Sequence, residues 1–182
     1  MEYFFTSDTH FGHRRIIELS HRPFSSVEEM DEVIITNWNS MIGPKDLVMH
    51  LGDFNLGGSM SDYLSRLNGY KHLIRGNHDP KLGKCLRSGF LSVREVHRFK
   101  MVPGVRIWLS HYPHRSWPGS AKGELHLHGH CHGNAKHYTN SMDVGVDTNN
   151  FKPYPLDEIL EWIDNGEIVD HHAKEDKEQV QS

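Results

Sequence analysis

Residues 46–53 read DLVMHLGD. Asp46–Leu51 is a short apolar run that reads as a buried strand. It ends at Gly52-Asp53, where a glycine lets the backbone turn sharply and brings a carboxylate into a crowded space. The same plan recurs along the chain. Glu2–Thr6 runs into Asp8-Thr9-His10, and Tyr70–Ile74 into Gly76-Asn77-His78-Asp79. Val105–Leu109 runs into Ser110-His111, and Glu124–His128 into Gly129-His130-Cys131-His132. Ligand sites in open α/β sheets gather at the carboxyl ends of strands. The shared position of these motifs therefore carries more weight than any one of them.

Between the strands the chain reads as helix and turn. Ser26 and Glu29 form a capping box before an apolar pattern at Val27, Met30, Ile34, Trp38 and Met41, so a helix is expected over Val27–Ile42, stopped by Gly43-Pro44. Ser59–Leu67 and Pro80–Ser88 read as short helices. Phe90–Phe99 reads as one strand before the Pro103-Gly104 turn, and Met142–Val146 as a later one. Pro113–Gly123 is an irregular loop. Pro155–Asn165 suits a last helix closed by Gly166. The class is α/β, with two packed sheets and helices outside. Residues 1–172 form a single domain in this reading, and the polar stretch 173–182 a flexible, solvated tail.

The chain has 182 residues, enough for one domain with its own core. Its mean hydropathy of -0.62 is that of a soluble protein. No apolar run approaches the ~20 residues of a membrane span, and the first residues do not resemble a signal peptide. The only two cysteines, Cys85 and Cys131, make no CxxC pair. A zinc finger or disulfide framework is excluded, and a reducing cytoplasm is expected. The net charge of -4, with no basic run, argues against strong nucleic-acid binding.

Each motif supplies residues of metal-binding type. Asp8 and His10 stand two apart, and in extended backbone both would point the same way. Asp53 has two oxygens and can bridge two cations; a strand-end Asp also commonly caps a turn. Asn77 offers a hard amide oxygen, and His78 beside it faces elsewhere, free to act on substrate. His126, His128, His130 and His132 would share a face along a strand. A turn at Gly129 leaves His130 and His132 as the pair for two neighbouring metals, with His126 and His128 as buried partners. His111 gains meaning only within the set.

In order, these motifs resemble the signature of the calcineurin-like metallophosphoesterase superfamily: DxH, GD, GNH[DE], H, GHxH. Ser7–His13, Arg22-Pro23-Phe24 and Leu51–Phe54 are similar to its compact phage and bacterial members. The resemblance implies a four-layer αββα sandwich of two mixed sheets flanked by helices, with a dinuclear centre at one edge. By position, Asp8, His10 and His132 would hold one metal, and Asn77, His111 and His130 the other. Asp53 would bridge them, and His78 would be the catalytic histidine that contacts the phosphate and leaving group. His13, just after the first motif, is a candidate substrate contact, with a solvated helix start as the alternative. The family's protein phosphatases carry an acidic residue and an arginine soon after GD. Here Phe54-Asn55-Leu56-Gly57-Gly58 follows, which disfavours phosphoproteins and leaves the group that orients His78 open.

The expected activity is hydrolysis of phosphate esters by a metal-activated hydroxide. Two divalent ions are implied, Mn²⁺ first, with Fe, Co²⁺, Ni²⁺ or Zn²⁺ also compatible with mixed O and N ligands. The expected partner is a small phosphodiester such as a nucleotide or cyclic nucleotide, with a phosphomonoester as the alternative. A non-catalytic metal-binding scaffold and a nuclease are the competing classes. The loop with Tyr112, Pro113, His114 and Trp117 is expected to border the site. Walker-A, GxGxxG, GxSxG and deaminase patterns are missing from the sequence.

Overall fold

A computed structural model of the chain describes residues 1–135 and 140–164, with side chains up to residue 162. The expected tail from 173 to 182 and the Asn165-Gly166 helix end lie outside the described residues.

Strands β1 (Tyr3–Thr6), β2 (Leu47–His50), β3 (Tyr70–Ile74), β4 (Ser92–Arg94) and β9 (Tyr154–Pro155) form one sheet, in the order β4-β3-β2-β1-β9. All neighbours are parallel except β9, which runs antiparallel on β1. The second sheet is β5 (Val96–Phe99), β6 (Ile107–Ser110), β7 (Leu125–His128) and β8 (Ser141–Asp143), in chain order. Here β5 is antiparallel to β6, and β6, β7 and β8 are parallel. Both sheets are mixed, as expected.

Alternation along the strands divides the apolar residues between two cores. Phe4, Val48, Leu73 and Val93 face helices α1 (Arg14–Leu19), α2 (Val27–Met41), α3 (Met60–Arg66) and α4 (Leu82–Ser88). They pack with Ile16, Met30, Ile34, Trp38, Leu64 and Cys85. Phe5, Met49 and Ile74 face the other way, against Phe99, Ile107, Leu109 and Leu127 of the second sheet. Ile159 of α5 (Leu156–Asp164) joins that inter-sheet core. Each such buried side chain contributes about 1.5–3 kcal/mol.

The outer row of the second sheet reads Arg98, Trp108, His126 and Ser141 in register. The loop from Pro113 to Gly123 lies over it. Trp117 and His114 stack on His126, with ring centroids 5.0 and 5.3 Å away.

Register sets the site. Thr6, His50 and Leu73 lie side by side, so the segments that follow them leave the first sheet at one level. Leu109 lies beside Leu127, and His128 beside Asp143, so the later histidine motifs leave the second sheet together.

Some expectations need correction. Phe90–Phe99 is two strands, not one. The chain crosses from the first sheet to the second at Glu95, and each half pairs with a different neighbour. Met142–Val146 shortens to Ser141–Asp143 and then turns into a 3-10 segment, Val146–Thr148. The helix start that was the alternative reading of His13 is present, since His13 is the N-cap of α1 and gives it no side-chain cap; the two-residue strand β9 has no counterpart in the sequence reading. The capping box at α2 is displaced by one residue. Ser26 accepts from Glu29 N, but the Glu29 carboxylate bonds to Ser25.

Candidate metal centre

The loops after β1 and β2 run alongside one another. Asp8 N donates to Gly52 O at 3.0 Å, His10 N to Asp53 O at 3.1 Å, and Phe11 N to Phe54 O at 3.0 Å. Asp79 binds the loop after β3 to the same frame. Its buried carboxylate accepts from Asp53 N and Gly76 N at 2.8 Å and from Phe54 N at 2.9 Å. Gly76 has no room for a side chain, because a Cβ there would collide with Asp53 Oδ1. Gly52 sits at φ +103 with a Cβ position 2.5 Å from His111 Nδ1.

Five motif residues other than glycine take left-handed backbone: Asp8 (φ 57), His10 (φ 51), Asp53 (φ 55), His130 (φ 70) and His132 (φ 50). That conformation costs a residue with a side chain about 1–3 kcal/mol and persists only where its surroundings enforce it. It also corrects the expected geometry of DxH. Asp8 and His10 converge through a left-handed turn, not through the alternation of an extended strand.

Two clusters with cation-binding geometry result. Asp8, His10 and His132 form one, and Asp53, His111 and His130 the other; within each, ligand-type atoms lie within 4.8 Å of one another. Asn77 adds to the second, its Oδ1 3.0 Å from His111 Nε2. Asp53 Oδ2 borders both clusters, 3.7 Å from His10 Nε2 and 3.6 Å from His111 Nε2.

These residues fit divalent cations. Asp8 Oδ1 and His10 Nε2 are buried without a hydrogen-bond partner among the described residues, a costly arrangement for polar atoms. Burial pushes the Asp8 carboxyl up to about 8, with His132 pulling it down and Asp143 and Asp53 pushing it further up. Burial, then the charges of His132 and Arg22, drives the His10 pKa strongly down, keeping the imidazole neutral with a lone pair. The His111 Nδ1–H donates to Leu51 O at 2.8 Å, which leaves Nε2 as the free lone pair.

The centre opens into a cleft of about 450 Å³, lined by His10, His13, Arg15, Leu19, Leu56 and His78 among others. The His78 side chain is 41% exposed, its Nε2 3.9 Å from Asp53 Oδ2. His13 Nδ1 lies 3.2 Å from His10 Nδ1. Tyr112 borders the second cluster, its hydroxyl 3.3 Å from Asn77 Oδ1 and its ring 4.5 Å from that of His130. His114 and Trp117 of the expected rim are not part of the cleft lining. His114 takes the Trp108 Nε1–H and Trp117 donates to Glu124 O, both on the second sheet's outer face. His126 is there too, a buried partner as expected, bonded to Ser110 and Ser141.

The pattern of the calcineurin-like phosphoesterases matches residues 1–181. The chain belongs to that family. An uncharacterized protein of Methanocaldococcus jannaschii is 37% identical to this phosphoesterase over 174 residues, 90% of this chain and 92% of its own. The gene 66 protein of Mycobacterium phage L5 is 30% identical over 178 residues, 79% of this chain and 85% of its own. The crystal structure of a protein of unknown function from Aquifex aeolicus superposes with a TM-score of 0.73 at 30% identity, covering 89% of this chain and 99% of that one. The family implies a dinuclear divalent-cation centre, and this phosphoesterase has two clusters of the right residue types.

Sequence reading missed several residues around this centre. Asp147 accepts the His132 Nδ1–H at 2.6 Å. Arg22 grips both Asp147 oxygens at 2.8 Å. Asp31 holds Gly12 N at 3.1 Å and the Tyr63 hydroxyl at 2.7 Å. Arg15, Leu19 and Leu56 line the cleft. Only Arg22 lay in a stretch already noted for its likeness to the family. Asp147 carries no motif, and Asp31 sits on α2, where a charged residue reads as solvated face.

Proposed function

We propose that this chain is a dinuclear metal-dependent phosphoesterase acting on phosphodiesters, nucleotides or cyclic nucleotides among them. Asp8, His10 and His132 would hold one cation, Asn77, His111 and His130 the other, with Asp53 placed between the two. The carrying observation is Asp53 Oδ2, which lies within 3.7 Å of a histidine nitrogen from each cluster. The mixed carboxylate, imidazole and amide donors suit Mn²⁺, which we favour. The free cysteines Cys85 and Cys131 are compatible with the reducing cytoplasm we assign to it.

The chemistry that two divalent cations would supply there, when bound, is charge neutralisation at the phosphoryl oxygens and a water nucleophile near neutral pH. The protein's own groups do the rest. His78 extends into the cleft and donates to a phosphoryl or leaving oxygen. With Nε2 kept as the ligand lone pair, His10 would carry its proton on Nδ1 and donate it to His13 Nδ1 at 3.2 Å. His13 is then fixed with its Nε2–H toward the cleft, where it bonds substrate. Arg15 is the arginine of the lining, and Leu19 and Leu56 form an apolar lip 63% and 44% exposed. That lip suits the second organic group of a diester monoanion better than a bare monoester dianion.

The test is turnover of bis- and mono-p-nitrophenyl phosphate by protein loaded with Mn²⁺. Faster hydrolysis of the diester is expected. Activity on the monoester alone removes the diester preference. Inertness toward both, with two cations bound per chain, overturns the proposal.

A further inference from the structure

We propose that Asp147, gripped by Arg22, is a positioning residue that sets the cation affinity of the Asp8–His10–His132 cluster and not that of the cluster around Asp53, Asn77, His111 and His130. The inference rests on the two-cation reading above.

The geometry is directional. The Asp147 Oδ2 atom takes the His132 Nδ1–H at 2.6 Å, so the tautomer is fixed and Nε2 is left as the lone pair for the cluster. A carboxylate behind a ligating imidazole fixes the ring and raises its basicity. Asp147 is itself held still. The Arg22 side chain is 0% exposed and bonds through Nε and Nη2 to the two Asp147 oxygens at 2.8 Å, a bidentate pair. The same guanidinium reaches the first motif from beneath. Its Nη2 donates to Asp8 O at 2.7 Å and its Nη1 to Thr9 O at 3.2 Å. One buried arginine thus ties the loop carrying Asp8 and His10 to the turn carrying Asp147. His132 joins through its hydrogen bond.

The other cluster is supported differently. His111 Nδ1 rests on the neutral Leu51 carbonyl, and Asp53 and Asn77 are held through backbone contacts to Asp79 and to one another's loops. Among the described residues no hydrogen bond joins Asp53, Asn77, His111 or His130 directly to Arg22 or Asp147; His130 meets that support at one remove, its N–H donating to Asp8 Oδ2 at 2.8 Å. The two clusters are therefore expected to differ in how they respond to the same substitution.

Isothermal titration of the full chain with Mn²⁺ tests this. His111→Ala leaves the first cluster as the intact one, and His10→Ala leaves the second. Adding Asp147→Asn to each keeps an acceptor for His132 but removes the charge and half of the Arg22 fork. Affinity is expected to fall by about 10–100-fold in the His111→Ala background and to stay unchanged in the His10→Ala background. Arg22→Lys, which keeps the charge and loses the fork, is expected to show a smaller loss in the same background, and serves if Asp147→Asn does not fold. Equal weakening in both backgrounds, or none in the first, overturns the inference alone. A wild-type chain that binds no Mn²⁺ overturns the two-cation reading and this inference with it.

Discussion

Replacing Asp79 distinguishes a clamp from a catalytic partner. The residue follows His78, and its carboxylate is spent on three buried backbone donors, those of Asp53, Phe54 and Gly76. Asn at this position has one acceptor oxygen. Turned toward Asp53 N and Gly76 N, it sets its own NH₂ against Phe54 N. One buried donor loses its partner, a cost of about 1–3 kcal/mol. Burial raises the Asp79 pKa despite those three hydrogen bonds, so a neutral amide recovers part of the desolvation cost, and about 2 kcal/mol is the expected net loss. In a chain of this size that lowers the melting temperature by about 4–8 °C. Asp79→Ala orphans all three donors and costs more, about 3–9 kcal/mol. The assay is urea and thermal unfolding of the three proteins, alongside turnover well below their melting points. If Asp79 acted instead by orienting His78, turnover would drop in Asp79→Asn while its melting curve overlaid wild type. That result would refute the clamp.

Three further outcomes are expected. His78→Ala cuts turnover but leaves Mn²⁺ stoichiometry intact in calorimetry; loss of the metal as well shows that His78 is not a purely catalytic group. Burial, then the charges of His128 and His114, lowers the His126 pKa to about 3, below the ~6.5 of an unfolded histidine. Its stabilising contribution is thus complete above pH ~6.5 and lost as the pH falls toward 3, at up to about 1.4 kcal/mol per pH unit. His126→Gln should flatten the pH dependence of the urea midpoint in that window, and a parallel slope counts against the assignment. With chelator present, His130→Gly should be more stable than His130→Ala by about 0.5–1 kcal/mol, because φ 70 suits glycine. An Ala variant equal or better in denaturant would show that this backbone carries no strain.

What could be read from the sequence was local. An apolar run followed by Gly-Asp or Gly-Asn-His announces a strand and its delivered side chain within eight residues, and β1, β2, β3, β6 and β7 all begin and end within two residues of expectation. The motifs' common position at strand ends pointed to one shared site, and the division into two clusters came from the resemblance to the calcineurin-like phosphoesterases. What escaped depends on contacts remote in sequence. Asp147 lies 125 residues from Arg22 and 15 from His132, spacings that no helix or strand period marks. Glu95 looks like any other strand residue, yet it is where the chain changes sheets. The loop with Trp117 and His114 is expected from the sequence to border the site. Instead the need to cover Trp108 and His126 drew them to the opposite face of the sheet.

Each cluster borrows from both sheets. Asp8 and His10 leave the first, and His132 the second; Asp53 leaves the first, and His111 and His130 the second. A cation seated in either one is a rivet through the seam of the sandwich, and ligands that bind only the folded form raise its stability. Starvation for metal would then shorten the life of the molecule as well as silence it. Cellular supply of the ion would govern how much of this protein survives proteases.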